Sequence, residues 1–358
     1  MNKEKSVKIE ELRTKLNRFP KVCLDTFLTP IVRLERISDD LEIEVFVKKE
    51  YLNGVPPGGH YAHALEYVFG DIIANGYISV IHGGPSQSNQ CAMVTAASTK
   101  YGLKTHLVLR KQLPNDLSDR GNLYTDQLYG ADIRWVTAEL GPEIDGLKKE
   151  WYGELSKING ERPYLFEREK VDALSCLGML ELFLNTYEQL DVQGEIPSLI
   201  YVVSCGPTQS GFLLGTKLIN PDIKIVGVRE IPWDAQGIIS KQVNSTAETL
   251  EEKVRVTGDD IVNYPEFVGE GYGLPTEGGA KAIKYFAEKG AILLEPVYTA
   301  KMADAFLTHA RDGTIRKGTK VLILHSGGSP LTYAYSEDTY GRLGKSLKEF
   351  AIQNKQHD

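Results

Sequence analysis

Short apolar runs alternate with segments whose apolar residues recur at helical spacing, and this alternation organises most of the chain. Residues 77–82 read as a buried strand, a Gly-Gly-Pro turn follows, and residues 89–100 carry the small-residue and apolar spacing of a helix packed on a sheet. A strand at 105–109, a helix at 120–129 and a strand at 132–136 repeat the unit, with Gly130 marking the last turn. The grammar returns with a strand at 198–204, a helix at 209–218 and a strand at 224–228. A helix at 280–288, a strand at 291–294, a helix at 300–311 and a strand at 320–325 continue it. Strands separated by helices of this length imply right-handed parallel crossovers, hence a doubly wound α/β architecture. Ligands in such sheets sit beyond the carboxyl ends of the strands. Three loops directly after strands therefore carry the most information: residues 83–90, 204–211 and 325–330.

Composition narrows the classes. Of 358 residues, 42% are hydrophobic and 25% charged, with 34 Gly and 16 Pro scattered rather than tracted, which excludes disordered, collagenous and coiled-coil chains. Forty-one Lys and Arg against 48 Asp and Glu leave a net charge of −7, so phosphate backbones and anionic lipid surfaces are repelled. No apolar stretch is long enough for a signal peptide or a bilayer span. Cys23, Cys91, Cys176 and Cys205 are far apart and form no Cys-x-x-Cys pair, which argues against a zinc ribbon or a disulfide framework. The expectation is a soluble cytoplasmic protein of about two domains with a small-molecule ligand, no nucleic-acid partner and no membrane partner.

Each of the three loops places small residues and hydroxyls at a helix N-terminus, where backbone N–H groups and the helix dipole suit a phosphate or carboxylate. None contains Gly-Lys-Ser/Thr or Gly-x-Gly-x-x-Gly, so neither a Walker nucleotide site nor a dinucleotide fold is indicated. A tight turn needed by any α/β crossover accounts for one such loop more readily than for three.

The order of motifs resembles the D-cysteine desulfhydrase and 1-aminocyclopropane-1-carboxylate (ACC) deaminase family, pyridoxal-phosphate (PLP) enzymes of the tryptophan-synthase-β-like fold, also called fold type II. The likeness covers nearly the whole chain: Phe27-Leu28-Thr29-Pro30-Ile31, residues 45–54, Gln87-Ser88-Asn89, Gly121-Asn122-Leu123, Gly271-Tyr272-Gly273, Glu295-Pro296-Val297-Tyr298-Thr299 and His325-Ser326-Gly327-Gly328. The resemblance implies two doubly wound parallel-sheet domains with the site in the cleft between them. Residues 1–55 and 168–358 would form the large domain and 56–167 a small inserted one, in a homodimer. It implies that Asn89 bonds the cofactor's ring hydroxyl, that Thr208 and the 204–208 loop, with Cys205 and Gly206, cradle its phosphate, and that Ser326 faces the pyridine nitrogen. Gln87, Gln90, Thr299 and Gly327 would complete the pocket. Ser88, Tyr272 and Tyr298 would stand where the family moves protons or attacks substrate, and Thr299 and Ser326 are closer to the desulfhydrase branch.

One segment departs from the family pattern. Where the resemblance puts Gly-Gly-Asn-Lys-x-Arg-Lys-Leu-Glu, this chain has Gly58-Gly59-His60-Tyr61-Ala62-His63-Ala64-Leu65-Glu66, so Tyr61 falls at the Schiff-base lysine. A phenol forms no imine with an aldehyde. Pro207 also removes an N–H donor from the phosphate loop. Lys48 and Lys49 match the family's own strand pair and point elsewhere. The resulting expectation is that no PLP is bound covalently and that it binds only noncovalently, if at all. His60, Tyr61 and His63 then offer a proton-handling cluster, because imidazole titrates near neutrality and a neighbouring phenol relays protons. The spacing of His60, His63 and Glu66 would also suit a metal, although that motif is unspecific and no metal is assigned. His82, at a strand end, has two readings, a structural residue or a further member of the same cleft. The expected function is lyase- or deaminase-like chemistry on a small amino acid or related carboxylate. Two alternatives stand beside it: an inactive pseudoenzyme that binds a ligand or modulates a partner, and slow turnover with noncovalent PLP.

Overall fold

The computed structural model describes residues 3–24, 27–111, 120–137, 142–204, 206–231 and 233–343. The chain opens with α1 (Lys3–Leu16), β1 (Ile31–Arg33), α2 (Glu35–Leu41), β2 (Glu44–Lys49) and α3 (Tyr61–Ala74). A second group follows: β3 (Ser79–Pro85), α4 (Asn89–Lys100), β4 (Lys104–Arg110), α5 (Gly121–Leu128), β5 (Asp132–Val136), α6 (Pro142–Leu155) and β6 (Pro163–Leu165). Then come α7 (Arg168–Gln193), β7 (Leu199–Val203), α8 (Pro207–Ile219), β8 (Lys224–Val228), α9 (Ala235–Thr249), β9 (Val262–Tyr264) and α10 (Glu277–Gly290). The last elements are α11 (Thr299–Arg311), β10 (Lys320–His325), α12 (Ser329–Ala334) and α13 (Ser336–Arg342).

These strands build two sheets. The larger has the order β1-β2-β10-β7-β8-β9 and is parallel except for the antiparallel edge pair β1–β2. The smaller, β5-β4-β3-β6, is wholly parallel and is drawn from residues 79–165, inside the segment expected to form the inserted domain. Helices cover both faces of the large sheet, with separate apolar cores on its two sides. This is the α/β, fold type II architecture expected from the chain. No described helix is long and apolar enough to cross a membrane.

Residues 291–294, read above as a strand, pair with no sheet. Ile292 and Leu294 are buried while Ala291 and Leu293 face outward, so the alternation that suggests a strand comes from a connector lying on the α10–α11 layer. Ala291 ends α10 in the left-handed conformation at φ 51°, and both edges of β10 are already occupied by β2 and β7. The 26-residue α7 is the central support. It packs on α3 at Gly178, where an added Cβ would fall 2.2 Å from the His63 carbonyl oxygen, and on α8 at Gly215, where one would fall 2.1 Å from the Phe183 ring. Only glycine admits these approaches.

Gly178→Ala therefore pushes α3 off α7, and the overpacking costs about 1–3 kcal/mol. Urea unfolding should show a lowered midpoint with an unchanged slope; an unshifted midpoint contradicts the tight α3–α7 contact.

Candidate functional site

The three post-strand loops converge on one cleft of about 420 Å³ between the sheets. Its lining includes His60, Tyr61, Ser88, Asn89, Gln90, Thr208, Tyr272, Tyr298 and Ser326, nine of the residues singled out in the sequence. The size is that of a small-molecule site. Gly59 and Gly327 form an antiparallel bridge at its floor, so close that a Cβ on Gly327 would lie 2.6 Å from the Gly59 Cα. Ser88 caps α4, its Oγ accepting the Cys91 N–H at 3.2 Å, and this holds Asn89 and Gln90 at the helix start facing the cleft. The hydroxyls of Tyr272 and Tyr298 are hydrogen-bonded to each other.

His60 is the hub. Its backbone N–H and its ring Nδ1 both reach the Ser326 carbonyl oxygen, at 3.0 and 3.1 Å, and its Nε2 lies 2.7 Å from the Thr208 hydroxyl. A carbonyl only accepts, so Nδ1 carries the proton. Burial pushes the imidazole below its ordinary range, so the ring is neutral near neutrality and Nε2 accepts the Thr208 O–H. Tyr61 is wedged between Gln90, which donates to its oxygen, and Ser175 Oγ at 3.3 Å. Burial pushes its phenol well above the usual range, so it stays protonated.

Other residues singled out in the sequence lie elsewhere. His63 was expected in the proton-handling cluster, but its Nε2 sits 3.0 Å from Glu50 Oε2 and 3.2 Å from Asn53 Nδ2, outside the cleft lining. Burial pushes the Glu50 carboxyl up, yet His63 and Lys48 outweigh it and bring it down to about 2. The separation lies in the side chains: His60 turns to the Ser326 carbonyl and Thr208, and His63 to Glu50 and Asn53. Glu66 turns to the Leu24 N–H and Lys21, so the three side chains of the suggested metal set have three different sets of partners. Gln87 accepts the Asn122 N–H at 3.0 Å and donates to the Arg120 carbonyl, a loop-holding role. Thr299 bonds Glu295 at the start of α11, and Glu295 in turn accepts the Val297 and Tyr298 N–H groups at 2.8 and 3.0 Å, fixing the tyrosine's backbone. Gly327 serves the Gly59 contact, and Gly206 turns the chain into α8 at φ 82°. Cys205 lies outside the described residues.

The structure adds residues that spacing did not single out for the cleft, among them Lys148 from α6 and Asp172 from α7. Burial pushes the Asp172 carboxyl up to about 6. His82 joins the cleft as well; its ring lies against Phe166 at 4.5 Å between centroids, and burial aided by the Lys148 charge pushes it down to about 3.

Comparison with known proteins decides the lineage. A family model described as pyridoxal-phosphate dependent enzyme matches residues 22–327. The chain belongs to that family. It is 30% identical to a 1-aminocyclopropane-1-carboxylate deaminase of Rhizobium leguminosarum bv. viciae over 90% of this chain and 97% of the relative. It is 28% identical to a D-cysteine desulfhydrase of Klebsiella pneumoniae strain 342 over 89% and 97% respectively. A crystal structure of an ACC deaminase homologue superposes with a TM-score of 0.83 at 28% identity, covering 93% of this chain and 99% of that one. The fold extends to a threonine deaminase of Solanum lycopersicum, with a TM-score of 0.63 at 14% identity.

Membership in this PLP-dependent family overturns the expectation that PLP is absent or held only noncovalently. The expectation rested on Tyr61, and a phenol at one position says nothing about the other amines of the cleft. The residues present also fit the cofactor. Thr208 and Gln209, in the first turn of α8, offer backbone N–H groups that no helical carbonyl can take, while Pro207 withholds one. Asn89 Oδ1 accepts from Asn122 at 2.6 Å, leaving its Nδ2 free to serve a ring oxygen. That Nδ2 lies where Gly328 has no Cβ; one there would come within 2.7 Å of it.

The His60–Thr208 bond makes anion binding proton-linked. Protonating His60 turns Nε2 into a donor and releases the Thr208 O–H toward an anion at the start of α8. A bound anion raises the His60 pKa from its depressed value, so affinity grows as pH falls through that interval, approaching about tenfold per pH unit, and levels off below it. Sulfate, which stays dianionic, should show this dependence in thermal-shift titrations, and His60→Asn should flatten it. An equal slope in both proteins contradicts the link.

Proposed function

We propose that the protein is a PLP-dependent lyase or deaminase-like enzyme acting on a small amino acid or a related carboxylate. The observation that carries this is the paired Tyr272 and Tyr298 hydroxyls lining the same cleft as Ser88, Asn89 and Gln90. Thr208 and Gln209 N–H groups would hold the phosphate, Asn89 the ring oxygen, and Ser326 would face the ring nitrogen. When bound, PLP supplies an electron sink that weakens the bonds at an amino acid's α-carbon. The chain's own residues do the rest. The free N–H groups and hydroxyl at the start of α4 suit the substrate carboxylate. In the tyrosine pair the two hydroxyls share a hydrogen bond, along which a proton given up by one phenol is replaced from the other. Glu295, holding the Tyr298 N–H, keeps that phenol in place. Apolar Met93, Ile144 and Val203 at the lining limit water.

A second reading, ligand binding without turnover, draws on residue 61, because a buried phenol that stays protonated neither condenses with an aldehyde nor accepts a proton near neutrality.

PLP-loaded protein incubated with D- and L-amino acids and ACC should release ammonia with a 2-oxoacid from at least one of them, and sulfide where the substrate is a thiol. Tyr298→Phe should lower kcat by about 10²–10⁴ with the fold intact by circular dichroism. Absence of turnover across the panel would favour the binding-only reading, and full activity in Tyr298→Phe would remove the tyrosine from the proposal.

A further inference from the structure

We propose that Lys148 supplies the amine that condenses with the PLP aldehyde in this chain, an inference that rests on the PLP-dependent reading above. Lys148 is the one lysine lining the cleft among the described residues, together with His60, Tyr61, His82, Asn89 and Thr208. It projects from α6 and its side chain is only 7% exposed. Its Nζ donates to the Phe166 carbonyl at 2.9 Å and lies 2.7 Å from Asp145 Oδ1, which occupies two of the three ammonium hydrogens. Its charge is felt at two buried groups, His82 in β3, which lines the cleft, and Cys91 in α4.

Two other buried amines, Lys48 and Lys301, are anchored outside the cleft lining. Lys48 Nζ is held by the Thr29 carbonyl and Gln189, each at 2.7 Å. Lys301 Nζ is held by the Val268 and Gly271 carbonyls at 2.7 and 3.0 Å. Neither lines the cleft.

The step balances without a redox partner. The Lys148 ammonium gives one proton to water through Asp145, whose side chain is 47% exposed. The free amine attacks the aldehyde carbon, a carbon–nitrogen double bond replaces the carbonyl, and the oxygen leaves as water. The tether thus comes from the small sheet's α6, whereas the family pattern draws it from the start of α3. An ion-paired lysine is also available to exchange its bond for that of an incoming amino acid, because Asp145 remains beside it to return a proton.

The full chain is incubated with PLP, reduced with borohydride, digested and mapped by mass spectrometry. A pyridoxyl group on the peptide bearing Lys148 is the expected result. Lys148→Arg, which preserves the charge and the Asp145 pair but has no condensing amine, should lose both the trapped group and the visible absorbance while still retaining some PLP on dialysis. Tyr61→Lys in that background should restore trapping, now at residue 61. A pyridoxyl group on another lysine, or retained PLP with Lys148 unmodified, overturns the assignment and leaves the PLP-dependent reading standing. Failure of the unaltered chain to take up any PLP overturns both.

Discussion

A single buried imidazole fastens the cleft. His60 ties the Ser326 carbonyl, at the end of β10, to the Thr208 hydroxyl, at the start of α8, and does so from the N-cap of α3. Three segments from distant parts of the sequence meet there because Gly59 and Gly327 have no side chains to hold them apart. Remove the imidazole and the buried Thr208 hydroxyl loses its partner, at a cost of about 1–3 kcal/mol, while the Ser326 carbonyl keeps the His60 N–H. The helices behind the hub are equally constrained, since α3 reaches its position only through the gap left by Gly178 on α7.

The same imidazole sets the electrostatics. A neutral His60 beside a helix N-terminus provides less attraction for a phosphate than an arginine or lysine would, so anion binding falls to backbone amides and the helix dipole. Positive charge enters the lining with Lys148 and Arg168, and the Lys148 charge disfavours protonation of His82. Desolvation raises two buried acids, Asp172 in the lining to about 6 and Glu295, behind Tyr298 at the start of α11, to about 7. Glu295 is the more constrained of the two, because its neighbours are N–H and hydroxyl donors that favour the carboxylate while burial opposes it.

Much of this was legible in the sequence where local pattern and tertiary environment agree. Asn89–Lys100, Asp132–Val136, Lys224–Val228 and Lys320–His325 have the limits that the alternation predicts. The α7 helix escaped the reading because it is buried on most sides and shows little polar contrast along its 26 residues. The 291–294 segment misled for the opposite reason, showing alternate burial without a strand neighbour. In the site, the post-strand loops were visible through their glycines and hydroxyls. His63 was not placed correctly, because its spacing from His60 carries no sign that its ring is taken by Glu50 and Asn53. Lys148 gave no local signal; its place in the cleft comes from the packing of α6 against β3 and β6. The position of Tyr61 invited a conclusion about the cofactor that belongs to the cleft as a whole, and family membership corrects it.

The most direct test of the central claim, that the three loops around His60 form a PLP site, is a crystal structure of the protein grown with PLP. The account expects the phosphate on the Thr208 and Gln209 amides, the ring oxygen beside Asn89 Nδ2 and the ring nitrogen beside Ser326. PLP density located elsewhere, or a cleft that stays empty at saturating PLP, would contradict it.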